Sequence, residues 1–332
     1  MQPKEQKNHD VLIVHHSPCS DGSVAAAVAG YAIKQHNPNS IKYIPTTYEK
    51  YEFLNIGDDL YIKSYGRKAK IDKNTDILIV DFSFKKDQIM MLSERCSSIT
   101  ILDHHTTAQV DLAGEYPDNV SILFDMKRSG AMLAWDELVV GKRRKDVRLD
   151  IPYSRMVELV GMRDLWKHKG TPDQKDAEAL QLAINSREER FNAESLEQFI
   201  NDGPEFEALL KEGHSLLRFF DSQVKQAMKN AINITMEDPA TGKAKKFAIC
   251  NAINMLASEL GNRLCEEGSD FAIVWSLDST GAVTASARSI GDNDCISIVR
   301  NFGGGGHKNA AGFRANLYEF LDYFGLTKHL KF

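Results

Sequence analysis

The chain has 332 residues, 42% of them hydrophobic and 26% charged, with a formal net charge of −5. That length fits about two domains. No stretch approaches the ~20 consecutive apolar residues that cross a bilayer, and the N-terminal MQPKEQKNHD lacks the apolar core of a secretory signal, so a cytoplasmic location is expected. The acidic balance gives no hint of the basic face used on long duplex nucleic acid.

Cys19, Cys96, Cys250, Cys265 and Cys295 stand far apart, with no Cys-x-x-Cys pair, which points to neither a zinc ribbon nor a disulfide framework. The run Lys142-Arg143-Arg144-Lys145 reads as a solvated helix end or loop, with phosphate binding as the alternative.

In chain order, an apolar run at 11–15 (VLIVH) is followed by an Ala-rich helical stretch at 21–36. A weaker strand-like run lies at 41–44, and further apolar runs at 77–80 (ILIV), 99–102 (ITIL) and 121–124 (SILF). Continuous apolar strands separated by segments that can be helical predict a parallel sheet covered on both faces. The first domain, 1–175, is therefore expected to be a doubly wound, mainly parallel α/β domain. Residues 176–232 read as a helical linker, with helices at 193–201 and 204–230 broken by Asp202-Gly203-Pro204. Strand-like runs at 246–250, 271–277 and 282–288, with helices near 252–266 and 294–302, predict a smaller mixed-sheet α/β domain over 233–332. Asp278-Ser279-Thr280-Gly281 reads as the hairpin turn between its last two strands.

Polar residues of the metal-ligating type follow three of these strands. The first ends in His15-His16, with Cys19 and Asp21 beyond; the third ends at Asp81; the fourth at Asp103-His104-His105. Ligands of open parallel sheets bind at the carboxyl ends of strands, so these side chains are expected to converge on one edge. Carboxylates mixed with imidazoles suit Mn²⁺ or Mg²⁺ better than structural Zn²⁺. Asp164, in GMRDLWKH, reads equally as a member of this set or as a salt-bridge partner. Arg128-Ser129-Gly130 precedes a helix whose N-terminus could bind an anion, with capping preferred.

The segments HHSPCSDG, LIVDFS, ILDHHTTA and VGMRDLW resemble, in order and spacing, the four motifs of the DHH phosphoesterase superfamily. FGGGGHKNAAGF, residues 302–313, resembles the glycine-rich signature of its DHH-associated substrate domain. The resemblance covers about residues 10–325 and is nearest the nanoRNase and oligoribonuclease type. It implies a phosphoesterase with two divalent ions, Mn²⁺ expected, Mg²⁺ or another divalent as alternatives. His15, Asp21, Asp81, His104 and Asp164 would be metal ligands, with Asp81 bridging and His16 able to replace His15. Asp103 and His105 would support catalysis, His105 close to the phosphate. Cys19 stands where the family usually has its first Asp, and a thiolate there is a softer ligand. Arg288, Ser289, Gly304, Gly305, Gly306 and His307 would contact substrate from the second domain.

The function this implies is hydrolysis of phosphoesters in short nucleotides (nanoRNA, linear dinucleotides or pAp) by a water activated between the two ions. Exopolyphosphatase or pyrophosphatase activity, and RecJ-like single-strand exonuclease activity, are the alternatives, with a non-catalytic sensor a third reading. Expected partners are short oligonucleotides or nucleotides, with neither long duplex nor membrane. Oligomeric state is open, a homodimer included.

Overall fold

The computed structural model describes residues 9–36, 38–141, 152–187 and 193–329. The basic run 142–145 lies outside them. The chain divides into two compact units, Met1–Leu217 and Arg218–Phe332.

The first unit opens with strand β1 (Asp10–His16), helix α1 (Ser20–Lys34) and strand β2 (Ser40–Thr46). A three-stranded meander follows: β3 (Tyr51–Ile56), β4 (Asp59–Ser64) and β5 (Arg67–Ile71). Next come β6 (Thr75–Val80), α2 (Lys86–Ser93), β7 (Ser98–Asp103), α3 (Thr106–Asp111) and β8 (Val120–Phe124). The unit closes with α4 (Gly130–Ala134), a π-helical turn Trp135–Val140, α5 (Arg155–Asp164), α6 (Gln174–Asn185), α7 (Ala193–Leu196) and the first half of α8 (Pro204–Met228).

The central sheet has the order β2-β1-β6-β7-β8 with every pairing parallel. Side chains alternate across it. Ile13, Leu78 and Val80 pack with the helices α1, α4, α5, α6 and α7 on one face. Leu12, Val14, Ile77 and Ile79 pack on the other with Leu60, Ile62, Ala69 and Ile71 of the meander and with Ile89 and Leu92 of α2. The parallel sheet expected from the apolar runs is present and covered on both faces.

The meander departs from the expected helical connections. Its pairing joins Ile56 to Asp59 and Ser64 to Arg67, leaving two-residue turns at Gly57-Asp58 and Tyr65-Gly66. Gly57, Tyr65 and Gly66 all have positive φ, as hairpin turns matched to strand twist require.

Residues 176–217 are likewise no free linker. Ala177, Leu180, Ala183, Ile184, Leu196, Phe206 and Leu209 are buried in the first unit's helical core, and the boundary between units falls inside α8.

The second unit contains the end of α8, then β9 (Ile232–Glu237), β10 (Ala244–Asn251), α9 (Ala257–Glu266), β11 (Phe271–Leu277), β12 (Val283–Ser289), α10 (Cys295–Val299), β13 (Gly305–His307), β14 (Ala310–Ala315) and α11 (Leu317–Tyr323). Its mixed sheet runs β13-β14-β12-β11-β10-β9, with β10 and β11 parallel. Val224 of α8 and Leu260 and Leu264 of α9 pack on one face; Ile298 of α10 and Phe320 of α11 pack on the other. No described helix is long and apolar enough to cross a membrane.

Candidate metal centre

Strand β1 lies between β2 and β6, so the sheet order reverses beside it. The carboxyl ends of β1, β6 and β7 therefore open on one crevice, and the polar residues that follow them meet there.

His15 and His16 end β1 on opposite faces. The Nδ1 of His15 lies 3.1 Å from the carbonyl oxygen of His16. A carbonyl only accepts, so Nδ1 carries the proton and Nε2 keeps a bare lone pair. That Nε2 is buried with no hydrogen-bond partner. Burial lowers the ring's pKa to about 4, so the imidazole is neutral. His16 points the other way, its Nδ1 3.7 Å from a carboxylate oxygen of Asp81.

Asp81 follows β6 with φ +54, a backbone region that L-residues rarely occupy. Its carboxylate is buried and lies 3.0 Å from the Nε2 of His104. Burial alone would raise its pKa, but the hydrogen bond from His104 and the nearby His16 imidazole hold it below the usual carboxylate range.

His104 in turn lies 3.8 Å from Asp21 and 3.7 Å from Asp164. Burial opposes its proton, yet the bond to Asp81 and the charges of Asp81, Asp21 and Asp164 push its pKa up to about 9.

Asp21 sits in the first turn of α1. Its two oxygens accept the backbone N–H of Gly130 at 2.6 Å and of Ala131 at 3.1 Å. Ser129 caps the same helix, accepting from the Met132 N–H. The expected cap is present, and the helix N-terminus also holds an anion, the carboxylate of Asp21. Burial first, then the charges of Asp81 and Asp164, raise the pKa of Asp21 well above the ordinary value. Asp164, the last residue of α5, is raised by burial and by Asp81.

Two glycines permit this crowding. A Cβ on Gly22 would collide with the His16 carbonyl oxygen, and one on Gly130 would lie 2.5 Å from the Cβ of Asp81.

Asp103 works from behind. Its Oδ1 accepts the N–H of His104 at 2.7 Å, the N–H of His105 at 3.2 Å and the Nδ1–H of His105 at 2.7 Å. Its Oδ2 accepts the Ser83 hydroxyl at 2.6 Å. The buried carboxylate is thus committed to fixing the two histidines, and its bond to His105 raises that imidazole's pKa. Ser83 was present in LIVDFS but carried no periodic or charge signal that would assign it this role.

Ligand-type atoms gather in three groups, within 4.8 Å of one another in each: His16, Cys19 and Asp81; Asp81, His104 and His105; and Asp21, His104 and Asp164. Asp81 belongs to two groups and His104 to two. Of the paired histidines, His16 joins such a group and His15 does not, contrary to the order of preference expected from the sequence. The reason is strand alternation: only one of two successive side chains can face Asp81.

The arrangement fits divalent cations. Three carboxylates crowd one imidazole, and like charges at this spacing resist joint ionisation unless a cation intervenes.

In the second unit, Arg288 donates to the Ser258 hydroxyl and to the Ala287 carbonyl, both at 2.8 Å. Among the described residues no carboxylate pairs with it. The register places Arg288 opposite Ala310, and Ala310 opposite His307, so Arg288 and His307 share one face of the sheet, roughly 10 Å apart.

Ser289 departs from the expectation. Its buried hydroxyl donates to the Asn293 carbonyl at 2.7 Å and accepts from Asn309 at 2.9 Å, so its bonding capacity is spent inside the unit.

The glycines divide too. A Cβ on Gly304 would meet the Gly312 carbonyl, and one on Gly306, at φ +142, would lie 2.6 Å from the Ala311 Cα. Both are required by the β13–β14 hairpin itself. Gly305 alone of the three faces open space.

The fold is similar to that of a solved structure, PggH of Vibrio cholerae, a pGpG-specific phosphodiesterase: TM-score 0.52, 12% identity, 97% of this chain and 98% of that one. The likeness is one of fold. Similar structures also include RecJ of Thermus thermophilus in complex with Mg²⁺, at 14% identity over 97% of this chain and 48% of that one, with a TM-score of 0.45. Among curated proteins the chain is 26% identical over 309 residues to an uncharacterized protein of Acanthamoeba polyphaga mimivirus, covering 91% of this chain. The chain spans 66% of that relative's length. No protein-family model matches it.

Proposed function

We propose that the chain is a divalent-metal phosphoesterase acting on short nucleotides. The observation that carries this is the sharing of Asp81 and His104 among three adjoining donor groups, as a two-cation centre with a bridging carboxylate requires. His16, Cys19, Asp21, Asp81, His104 and Asp164 would hold the cations. Mn²⁺ is the expected ion. Bound there, the cations would neutralise phosphoryl oxygens and acidify a water.

The remaining work falls to the chain's own groups. Asp103 holds the His105 ring through Nδ1, which leaves Nε2 free toward the substrate. With its pKa raised by that bond, His105 retains a proton to donate to a phosphate oxygen as charge builds up. Asp103 acts as a positioning residue. From the second unit, Arg288, Gly305 and His307 are the residues proposed to contact substrate.

One observation supports a short nucleotide over polyphosphate. The relative of matching fold is itself named for pGpG, a linear dinucleotide.

The test is a rate panel with Mn²⁺: 5′-phosphorylated RNA of increasing length, pAp, a cyclic dinucleotide and polyphosphate. The shortest nucleotides are expected to react fastest, and Asp81→Ala and His104→Ala to lose roughly a thousandfold or more while remaining folded. Activity retained in either variant would refute the assignment, and polyphosphate as the fastest substrate would redirect it.

A further inference from the structure

Two exposed aromatic residues stand next to residues of the candidate centre, Tyr48 by ring contact with His16 and Trp166 two positions after Asp164. Tyr48 lies in the turn between β2 and β3 and is 55% exposed. Its ring centroid is 6.4 Å from that of His16 and 4.9 Å from that of Phe82, the residue after Asp81. Trp166 stands two residues after Asp164 and is 52% exposed.

Trp166 also has a backbone that its side chain does not favour. Its φ is +55. Its N–H bonds the Arg163 carbonyl, and the Lys167 N–H bonds the Met162 carbonyl. That pair of bonds is the Schellman closure of α5, and Trp166 occupies the left-handed position where glycine is the residue without steric cost.

The guanidinium of Arg163 lies 4.7 Å from the ring centroid, and the buried His168 ring 5.8 Å away. The indole thus has Arg163 and His168 as neighbours while remaining open to solvent. A strained, half-exposed aromatic beside a ligand cluster is better accounted for by recognition than by packing.

We propose that Tyr48 and Trp166 stack the nucleobases of the substrate, one at the His16 end of the centre and one at the Asp164 end. The inference rests on the phosphoesterase reading above and narrows it: the substrate carries bases, and those bases contribute to its binding. Aromatic–base stacking tolerates any base, so little base preference is expected.

The test compares KM and kcat for a 5′-phosphorylated diadenosine dinucleotide and for its abasic analogue of the same backbone, using the full chain with Mn²⁺. Trp166→Gly relieves the backbone and should fold at least as well as the parent. It and Tyr48→Leu are each expected to raise KM for the dinucleotide about tenfold or more, with kcat little changed and the abasic analogue unaffected. Trp166→Phe should recover most of the loss.

An equal rise on both substrates, or none on the dinucleotide, would overturn the proposal. Should the parent hydrolyse neither, the phosphoesterase reading falls separately, and stacking is then read by fluorescence. Quenching by the dinucleotide that disappears in Trp166→Phe would support it; quenching that persists, or none in the parent, would overturn it.

Discussion

Cys19 sets this centre apart from one built only of carboxylates and imidazoles. Its Sγ lies within 4.8 Å of ligand atoms of His16 and Asp81. Burial and the charges of Asp81 and Asp21 raise its pKa well above the ordinary thiol value, so the thiol keeps its proton until a cation displaces it. A thiolate among carboxylates favours a softer ion than Mg²⁺. Loading with Co²⁺ should therefore give a near-ultraviolet thiolate charge-transfer band that Cys19→Ser abolishes. Cys19→Asp should shift relative affinity from Co²⁺ toward Mn²⁺. A spectrum identical in Cys19→Ser would remove the cysteine from the centre. The ligand-type residues were legible because Asp and His directly follow apolar strands. The choice between His15 and His16 was not, since it depends on which face of β1 each occupies. Ser289 misled because a spent hydroxyl and a substrate-binding hydroxyl look alike in sequence. Tyr48 and Trp166 gave no signal because a lone aromatic in a loop says nothing of its own exposure.

At the scale of elements, the short helix α4 matters out of proportion to its length. Its first N–H groups hold the carboxylate of Asp21, which arrives on α1, so two helix N-termini press on one site. Gly130 permits this, since a Cβ there would lie 2.5 Å from the Cβ of Asp81 and 3.0 Å from an Asp21 oxygen. Neither neighbour is the free end of a flexible chain. Gly130→Ala should cost about 1–3 kcal/mol by overpacking, read as a lower melting temperature, and should weaken cation binding with it. Gly305→Ala, with open space at its Cβ, should leave stability unchanged and act only on substrate KM. Equal losses in the two would contradict this division of labour. The parallel strands were readable because burial on both faces makes each a continuous apolar run. The meander was not read, although Leu60, Ile62 and Ser64 alternate inward and Gly57 and Gly66 mark its turns; the expectation of helical crossovers overrode that period-two signal.

At the scale of the molecule, each unit has its own apolar cores. The helical stretch after residue 175 reads as a linker in sequence because an amphipathic helix shows its apolar stripe there but not the core that receives it. In the first unit the carboxylates of Asp21, Asp81 and Asp164 crowd around His104, and burial and mutual repulsion raise the pKa of Asp21 and Asp164. Their charges oppose folding unless cations join them. Mn²⁺ should therefore raise the melting temperature and a chelator lower it. Asp164→Asn removes one of the opposed charges and should raise the metal-free melting temperature by about 2–4 °C, the scale of ~1 kcal/mol in a domain of this size, while shrinking the Mn²⁺-dependent rise. A variant that stays as responsive to Mn²⁺ as the parent would place Asp164 outside the centre.

The most direct measurement is the number of Mn²⁺ ions bound per chain, followed by electron paramagnetic resonance during titration of the parent, Asp81→Ala and His307→Ala. The account predicts two ions in the parent and in His307→Ala, and loss of both tight sites in Asp81→Ala. Unaltered binding in Asp81→Ala would contradict it.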